Sequence, residues 1–304
     1  MLALVGEVLL DLILEEDQGA ALGFRGVLGG SVLNTASALS RMGLPVRFFS
    51  EVGADFLSEW AEGAMRARGL DLWLFRHQAP MPLALVRLDE AGNARYSFHR
   101  PFQEAFQLKP GGLKGAWGLH FGSLFALEGR TARGLEALLE EAEEEGALLS
   151  YDPNLRQSPS PEERARILAY AERVQLLKLS LEDARLLFPE SPLEEVKALP
   201  TPLKVLTLGP EGAVAFWGGK EVRVPGERVA VADTVGAGDT FTAGLLALLY
   251  RKGYGRATLG TLEREDLEEA LRGAVALSAL ACTVRGAGLP EEGLRAWMAR
   301  FLGE

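Results

Sequence analysis

Between Asp233 and Gly244 the chain reads Asp-Thr-Val-Gly-Ala-Gly-Asp-Thr-Phe-Thr-Ala-Gly and runs on into the apolar stretch Leu-Leu-Ala-Leu-Leu-Tyr. Gly236 and Gly238 carry no Cβ, so the backbone there can approach a ligand closely. The apolar stretch predicts a helix whose first N–H groups and dipole favour an anion, and a phosphate suits that chemistry. Asp239 then stands apart. A carboxylate beside an anion site is electrostatically unfavourable unless its charge is used, for instance to accept a proton from an attacking hydroxyl. The plainer reading is that Asp239 caps the helix, which aspartate does well. Spacing alone leaves both readings open.

Two common phosphate-binding loops are excluded. No G-x-x-x-x-G-K-[ST] occurs, and the loop at 236–238 lacks the last glycine of G-x-G-x-x-G.

The elements that must position this loop alternate. Leu2–Gly6 is a short apolar run, and after Gly29-Gly30 the residues Leu33, Ala36, Leu39 and Met42 recur at helical spacing. A buried strand is predicted at 46–53, then a helix from Phe56 to Arg68 stopped by Gly69. The rhythm resumes with a strand at 119–122, a helix at 131–145, a strand at 147–152, a helix at 161–173, a strand at 176–179 and a helix at 181–188. A buried strand at 204–209 precedes an antiparallel hairpin of 213–217 with 221–224 across Gly218-Gly219. Apolar helices are predicted near 240–251, 266–284 and 291–302. This alternation predicts a doubly wound, mostly parallel α/β sheet flanked by helices.

Residues 83–100 break the pattern, because LALVRL and ARYSFHR flank the turn-rich Asp89-Glu90-Ala91-Gly92-Asn93 as in a β-hairpin. We expect one domain over 1–304, with a small β-sheet lid built from segments near 10–28 and 73–100.

The 233–244 segment resembles the signature D-T-x-G-A-G-D-x-F of the ribokinase-like, or PfkB, carbohydrate kinases. Gly6-Glu7 with Asp11, Gly29-Gly30-Ser31-Val32-Leu33-Asn34, Asp152-Pro153-Asn154-Leu155-Arg156 and Thr207-Leu208-Gly209-Pro210-Glu211-Gly212 stand in that family's order, so the resemblance spans nearly the whole chain. It implies an ATP-dependent sugar kinase in which Asp239 is the catalytic base and the backbone of Gly236, Ala237 and Gly238 forms the anion hole. It places Thr207, Gly209, Gly212, Lys178 and Ser180 on the nucleotide side. Asp11, Gly30 and Asn34 are expected to approach sugar hydroxyls, whose several hydrogen bonds suit carboxylate and amide groups. Arg100, Asn154 and Arg156 are further substrate-side candidates, since open α/β sheets bind ligands beyond their strand ends. The alternatives are a strand-end acid at Asp11, a helix-terminal polar residue at Asn34 and surface cations at the two arginines.

One departure concerns the metal. Many members carry N-x-x-E, whereas here the place reads Lys178-Leu179-Ser180-Leu181-Glu182-Asp183. Magnesium is still expected, because transfer from ATP needs phosphate charge neutralised. Its direct ligands are unassigned, Asp183 being the candidate to reach it through water; a monovalent cation is left open. The K-x-S form, G-E-x-L-x-D-L at the amino terminus and H-F-G-S at His120 to Ser123 resemble fructokinase-like members, making fructose the leading substrate and 2-keto-3-deoxygluconate the rival, with Arg100 and Arg156 available to its carboxylate. A sugar-binding or regulatory homologue without activity is the alternative of another class. The resemblance also implies a homodimer through the lid.

The totals agree with a globular enzyme. The chain has 304 residues, 48% hydrophobic and 24% charged, and a formal charge of −10, which disfavours nucleic acid or an anionic membrane as partner. No stretch has membrane-span length and no basic segment precedes the first apolar run, so a cytoplasmic location is expected. Cys282 is the sole cysteine, and with three histidines there is no Cys/His zinc pattern. Cys282 reads as a small buried apolar residue, and His99 and His120 as packing or hydrogen-bonding residues.

Overall fold

A computed structural model describes residues 1–88 and 94–303. The expected turn at 89–93 lies outside the described residues. In chain order the first half comprises β1 (Leu2–Val5), β2 (Leu9–Asp17), β3 (Leu22–Gly29), α1 (Ser31–Arg41), β4 (Val46–Val52), α2 (Phe56–Ala67), β5 (Asp71–Arg76), β6 (Leu83–Leu88) and β7 (Ala94–His99). There follow β8 (Gly118–Gly122), α3 (Ser123–Leu127), α4 (Ala132–Glu144), β9 (Leu148–Asp152), α5 (Pro161–Arg173), β10 (Leu176–Ser180), α6 (Leu181–Leu187) and α7 (Pro192–Ala198). The chain then forms β11 (Leu203–Thr207), β12 (Ala213–Trp217), β13 (Lys220–Val224), α8 (Ala237–Arg251), α9 (Arg264–Ala281) and α10 (Glu291–Phe301).

Among the described residues nine strands form one sheet in the order β13-β12-β11-β10-β9-β8-β1-β4-β5. Pairing is parallel from β5 to β11, and the β12–β13 hairpin adds antiparallel strands at one edge. β1, β8 and β9 are buried along their whole length because helices cover both faces, which explains why they read as continuous apolar runs. Strand alternation divides the core in two: Leu2 and Leu4 join the cluster with α1, α8 and α9, while Ala3 and Val5 join the cluster with α4 and α5. The chain leaves β1 for β4 on one side and returns to β8 on the other, so β1 marks the reversal where open α/β sheets bind ligands.

A second sheet has the order β3-β2-β6-β7. β2 is buried at Leu9 and Leu10 and becomes exposed towards Asp17. The small sheet therefore stands out over the strand ends. One expectation needs correction: residues 73–76 are not part of it. They lie in β5, which pairs in parallel with β4 from Arg47↔Asp71 to Val52↔Arg76 and closes the large sheet. The half-buried aromatics of β5 gave no clean alternation. α3 and α7, five and seven residues long, carry too few turns to show a period and are found only in the structure. Among the described residues no helix is long and apolar enough to cross a membrane.

Candidate active site

The loop at 236–238 becomes the start of α8. Gly236 is its N-cap at φ 78°, and a Cβ there would lie 2.6 Å from Ala287 Cβ, so glycine is required on two counts. The first-turn N–H groups of Gly238 and Asp239 precede any carbonyl the helix could offer them. Neighbouring hydroxyls hold this turn: Ser278 Oγ donates to Ala237 O at 2.9 Å and Thr242 Oγ1 to Gly238 O at 3.1 Å.

Asp239 does not cap α8, because its carboxylate points away from the helix. It accepts hydrogen bonds from Ser31 Oγ at 2.6 Å and Asn34 Nδ2 at 2.8 Å, both in the first turn of α1. Thr35 Oγ1 donates to Asp239 O at 3.1 Å, so α1 grips the backbone as well. Burial pushes the Asp239 carboxyl above its ordinary value, the two hydrogen bonds oppose that rise, and Asp152 adds to it. The result is a half-buried carboxylate in a fixed direction with raised basicity.

The sugar-side candidates converge on the same place. Gly30 is the N-cap of α1 at φ 131° and packs on the Glu7 carbonyl. Asp11, on β2, lays its carboxylate against Gly29. Burial raises Asp11 to about 6, Arg156 acts against that rise and Glu7 with it. Arg156 follows β9, and its guanidinium stands 5.8 Å from the centre of the Tyr96 ring on β7, so it spans from the large sheet to the small one. Asn154 adopts φ 43° and donates its N–H to Asp152 Oδ1 at 3.2 Å, a sharp turn that brings Arg156 round to face Asp11. Arg100 departs from the expected cluster. Its Nη1 donates to Glu128 Oε1 at 2.7 Å, in a chain that continues through Arg130 to the buried Glu51.

On the far side of Gly238 lies a cleft of about 710 Å³. Thr207, Gly209 and Gly212 line it together with Ala237 and Gly238. Val229 and Val231 form its outer wall, and Val275, Ala279 and Cys282 its floor. The sequence reading missed these five. The signal for the floor was present: Val275, Ser278, Ala279 and Cys282 repeat at helical spacing along α9 as a stripe of small residues. Cys282 is thus half-buried at the cleft rather than in the core, and burial raises its thiol.

Lys178 and Ser180 separate. The Lys178 ammonium is buried and reaches the underside of the α8 turn, 3.1 Å from where a Cβ on Gly238 would sit. Burial pulls it down, but Asp152, Asp183 and Asp239 together hold it above the usual lysine value. Ser180 instead forms a capping box with Asp183 at the start of α6, and its hydroxyl donates to Asp183 Oδ2 at 2.6 Å, turning it away from the cleft. Asp183 also accepts from Leu155 N–H at 2.7 Å, so both its oxygens meet protein donors. Among the described residues no group of three His, Cys, Asp or Glu side chains is gathered as a metal cage. Burial, and then the Lys178 charge, lower His120 to about 3, and its Nδ1 pairs with Ser150 Oγ at 3.0 Å; it is a neutral hydrogen-bonding residue, as expected.

The glycine-lined cleft beyond the α8 turn has room for a nucleoside triphosphate. Fold and site together define a phosphotransferase with an alcohol group as acceptor. The family model described as pfkB family carbohydrate kinase matches residues 1–293, and the chain belongs to that family of ATP-dependent sugar kinases. It is 32% identical over 261 residues to a fructokinase of Rhizobium leguminosarum bv. trifolii, covering 82% of this chain and 79% of that protein. It is 33% identical over 309 residues to probable fructokinase-4 of Arabidopsis thaliana, covering 94% and 93%. The crystal structure of fructokinase with bound ATP from Xylella fastidiosa superposes with a TM-score of 0.87 at 23% identity, covering 100% of this chain and 99% of that one.

Proposed function

We propose that this chain is a fructokinase that transfers the γ-phosphoryl group of ATP to a primary hydroxyl of fructose, with Asp239 as the base. The observation that carries the reading is the half-buried Asp239 carboxylate, fixed by Ser31 and Asn34 between the Asp11 cluster and the glycine-lined cleft. The hydroxyl oxygen attacks the γ-phosphorus, the bond to the β–γ bridging oxygen breaks, ADP leaves with that electron pair, and Asp239 takes the hydroxyl proton. First-turn N–H groups of α8 at Gly238 and Asp239 meet the charge on the transferring group. Asp11 and Asn34 orient the sugar, Asn154 and Arg156 border it, and Lys178, Thr207, Gly209 and Gly212 serve the nucleotide.

Magnesium enters with the triphosphate as part of the substrate. That suits its preference for phosphate and water oxygens, and Asp183 contacts it through water. A monovalent cation and a dimer formed through the small sheet belong to the same proposal.

The choice of fructose is supported by the named relatives at 32–33% identity. A second reading, 2-keto-3-deoxygluconate, is favoured by Arg156, an exposed cation facing Asp11 beside the acceptor site. Release of ADP with fructose, 2-keto-3-deoxygluconate, ribose and adenosine, in wild type and Arg156→Gln, decides between them. The proposal expects the highest kcat/KM with fructose and a change of less than about threefold in the variant. A charge-assisted hydrogen bond to an acid is worth roughly 1.5–3 kcal/mol, so a preference for the acid that falls tenfold or more in Arg156→Gln overturns it. No ADP release with any sugar favours a homologue without activity.

A further inference from the structure

Asp152 and Lys178 form an ion pair, and the reaction just described gives Asp152 no part. Asp152 ends β9 and Lys178 lies on β10, one position beyond the last paired residues of these neighbouring parallel strands, Tyr151↔Leu177. Lys178 Nζ donates to Asp152 Oδ2 at 2.8 Å, and each side chain is 5% exposed. Such a pair gives little net stability, because taking two charges out of water costs about as much as their attraction returns. Packing alone therefore does not account for it.

Its position does. The ammonium lies between Asp152 and Gly238, 3.1 Å from where a Cβ on Gly238 would sit, and Lys178 is not among the residues that line the cleft. Thr242 Oγ1 donates to Gly238 O at 3.1 Å and lies 3.5 Å from Asp152 Oδ2; its single proton serves the carbonyl, so the lysine is what links the carboxylate to the turn. Asn154 N–H holds the other oxygen, Oδ1, and fixes the carboxylate plane. The ion pair thus joins the ends of β9 and β10 and sets the ammonium beside Gly238 in the first turn of α8.

We propose that Asp152 is a positioning residue for phosphoryl transfer, holding the Lys178 ammonium charged and fixed behind the Gly238 backbone so that a permanent positive charge backs the anion hole. A cation already in place stabilises charge developing on the transferring group without reorganisation. The proposal rests on the phosphoryl-transfer reading above, which Asp239→Asn tests separately.

Four titratable groups face Lys178: Asp152 from β9, Asp183 from α6, Asp239 from α8 and His120 from β8. His120 stays neutral, and Asp183 and Asp239 are weaker influences than Asp152. Without Asp152, burial dominates and Lys178 loses its proton more readily. The active form is the charged one, so activity then declines as pH rises.

The test is the pH profile of kcat/KM for ATP in wild type and Asp152→Asn, at saturating sugar. In the variant we expect kcat at neutral pH to fall by about 10²-fold. KM for the sugar should stay within about threefold, and a new descending alkaline limb should appear, displaced by at least about one pH unit from any wild-type limb. A kcat loss below about tenfold, or a larger loss with the limb unmoved, overturns the proposal. Lys178→Met and the double variant Asp152→Asn/Lys178→Met form the second arm, and the double variant leaves no unpaired charge from this pair if Asp152→Asn alone fails to fold. If Asp152 acts through Lys178, the double variant matches the kcat of Lys178→Met within about threefold; a further tenfold loss assigns Asp152 an independent role and overturns the proposal.

Discussion

Asn34 Nδ2 stands 2.8 Å from Asp239 Oδ2, joining the first turns of α1 and α8 across 205 positions of sequence. With Ser31 Oγ on the other oxygen, this contact fixes where the proton acceptor points and moderates its basicity. A hydrogen bond to the charged form of an acid favours that form. Ser31→Ala therefore raises the Asp239 carboxyl further, and the acid limb of kcat/KM moves to higher pH with the plateau largely retained. An unmoved or lowered limb in the variant contradicts the assignment.

Asp239 also has a cost in stability. Its folded carboxyl lies above the ordinary 3.8 because of burial, so its contribution to folding is fully present below the unfolded value and is lost as pH rises through the folded one. Asn has no such titration. Thermal unfolding should show Asp239→Asn gaining stability relative to wild type on going from pH 4 to pH 8. A relative loss over that interval contradicts a raised Asp239 carboxyl.

Asp11 titrates near 6, close to the assay range. If its ionised oxygens accept from sugar hydroxyls, as proposed, KM for fructose should rise about tenfold per pH unit below 6 while KM for ATP stays level. Asp11→Asn should raise KM for fructose and flatten its pH dependence. A pH-dependent KM that persists in the variant locates the titrating group elsewhere.

Much of this site was legible because its parts are local. The α8 turn, the Asp152–Arg156 segment and the glycines of 207–212 each announce themselves within a few residues, and α5 begins at Pro161 and ends at Arg173 as its pattern predicts. What required the fold were contacts between distant segments. Ser31 sat inside a recognised motif without a role until α1 met α8. Arg100 looked like a substrate cation because the sequence does not show Glu128 beside it. The same limit hid the difference between Lys178 and Ser180, two positions apart on β10 and turned to opposite tasks.

Gly212 tests the nucleotide wall. It has φ 97°, and a Cβ there would press on the Val224 carbonyl and lie 2.5 Å from Gly226 N. Gly212→Ala should cost about 1–3 kcal/mol of stability and raise KM for ATP more than KM for fructose. Equal effects on both substrates would show that Gly212 does not shape the cleft.

The central claim is that Asp239 takes the proton from the sugar hydroxyl. Its most direct test is kcat for fructose phosphorylation by Asp239→Asn, with ATP binding measured on the same folded sample. General-base catalysis supplies roughly 10²–10⁴-fold, so the account predicts a loss of that size with ATP still bound. A loss below about tenfold contradicts it.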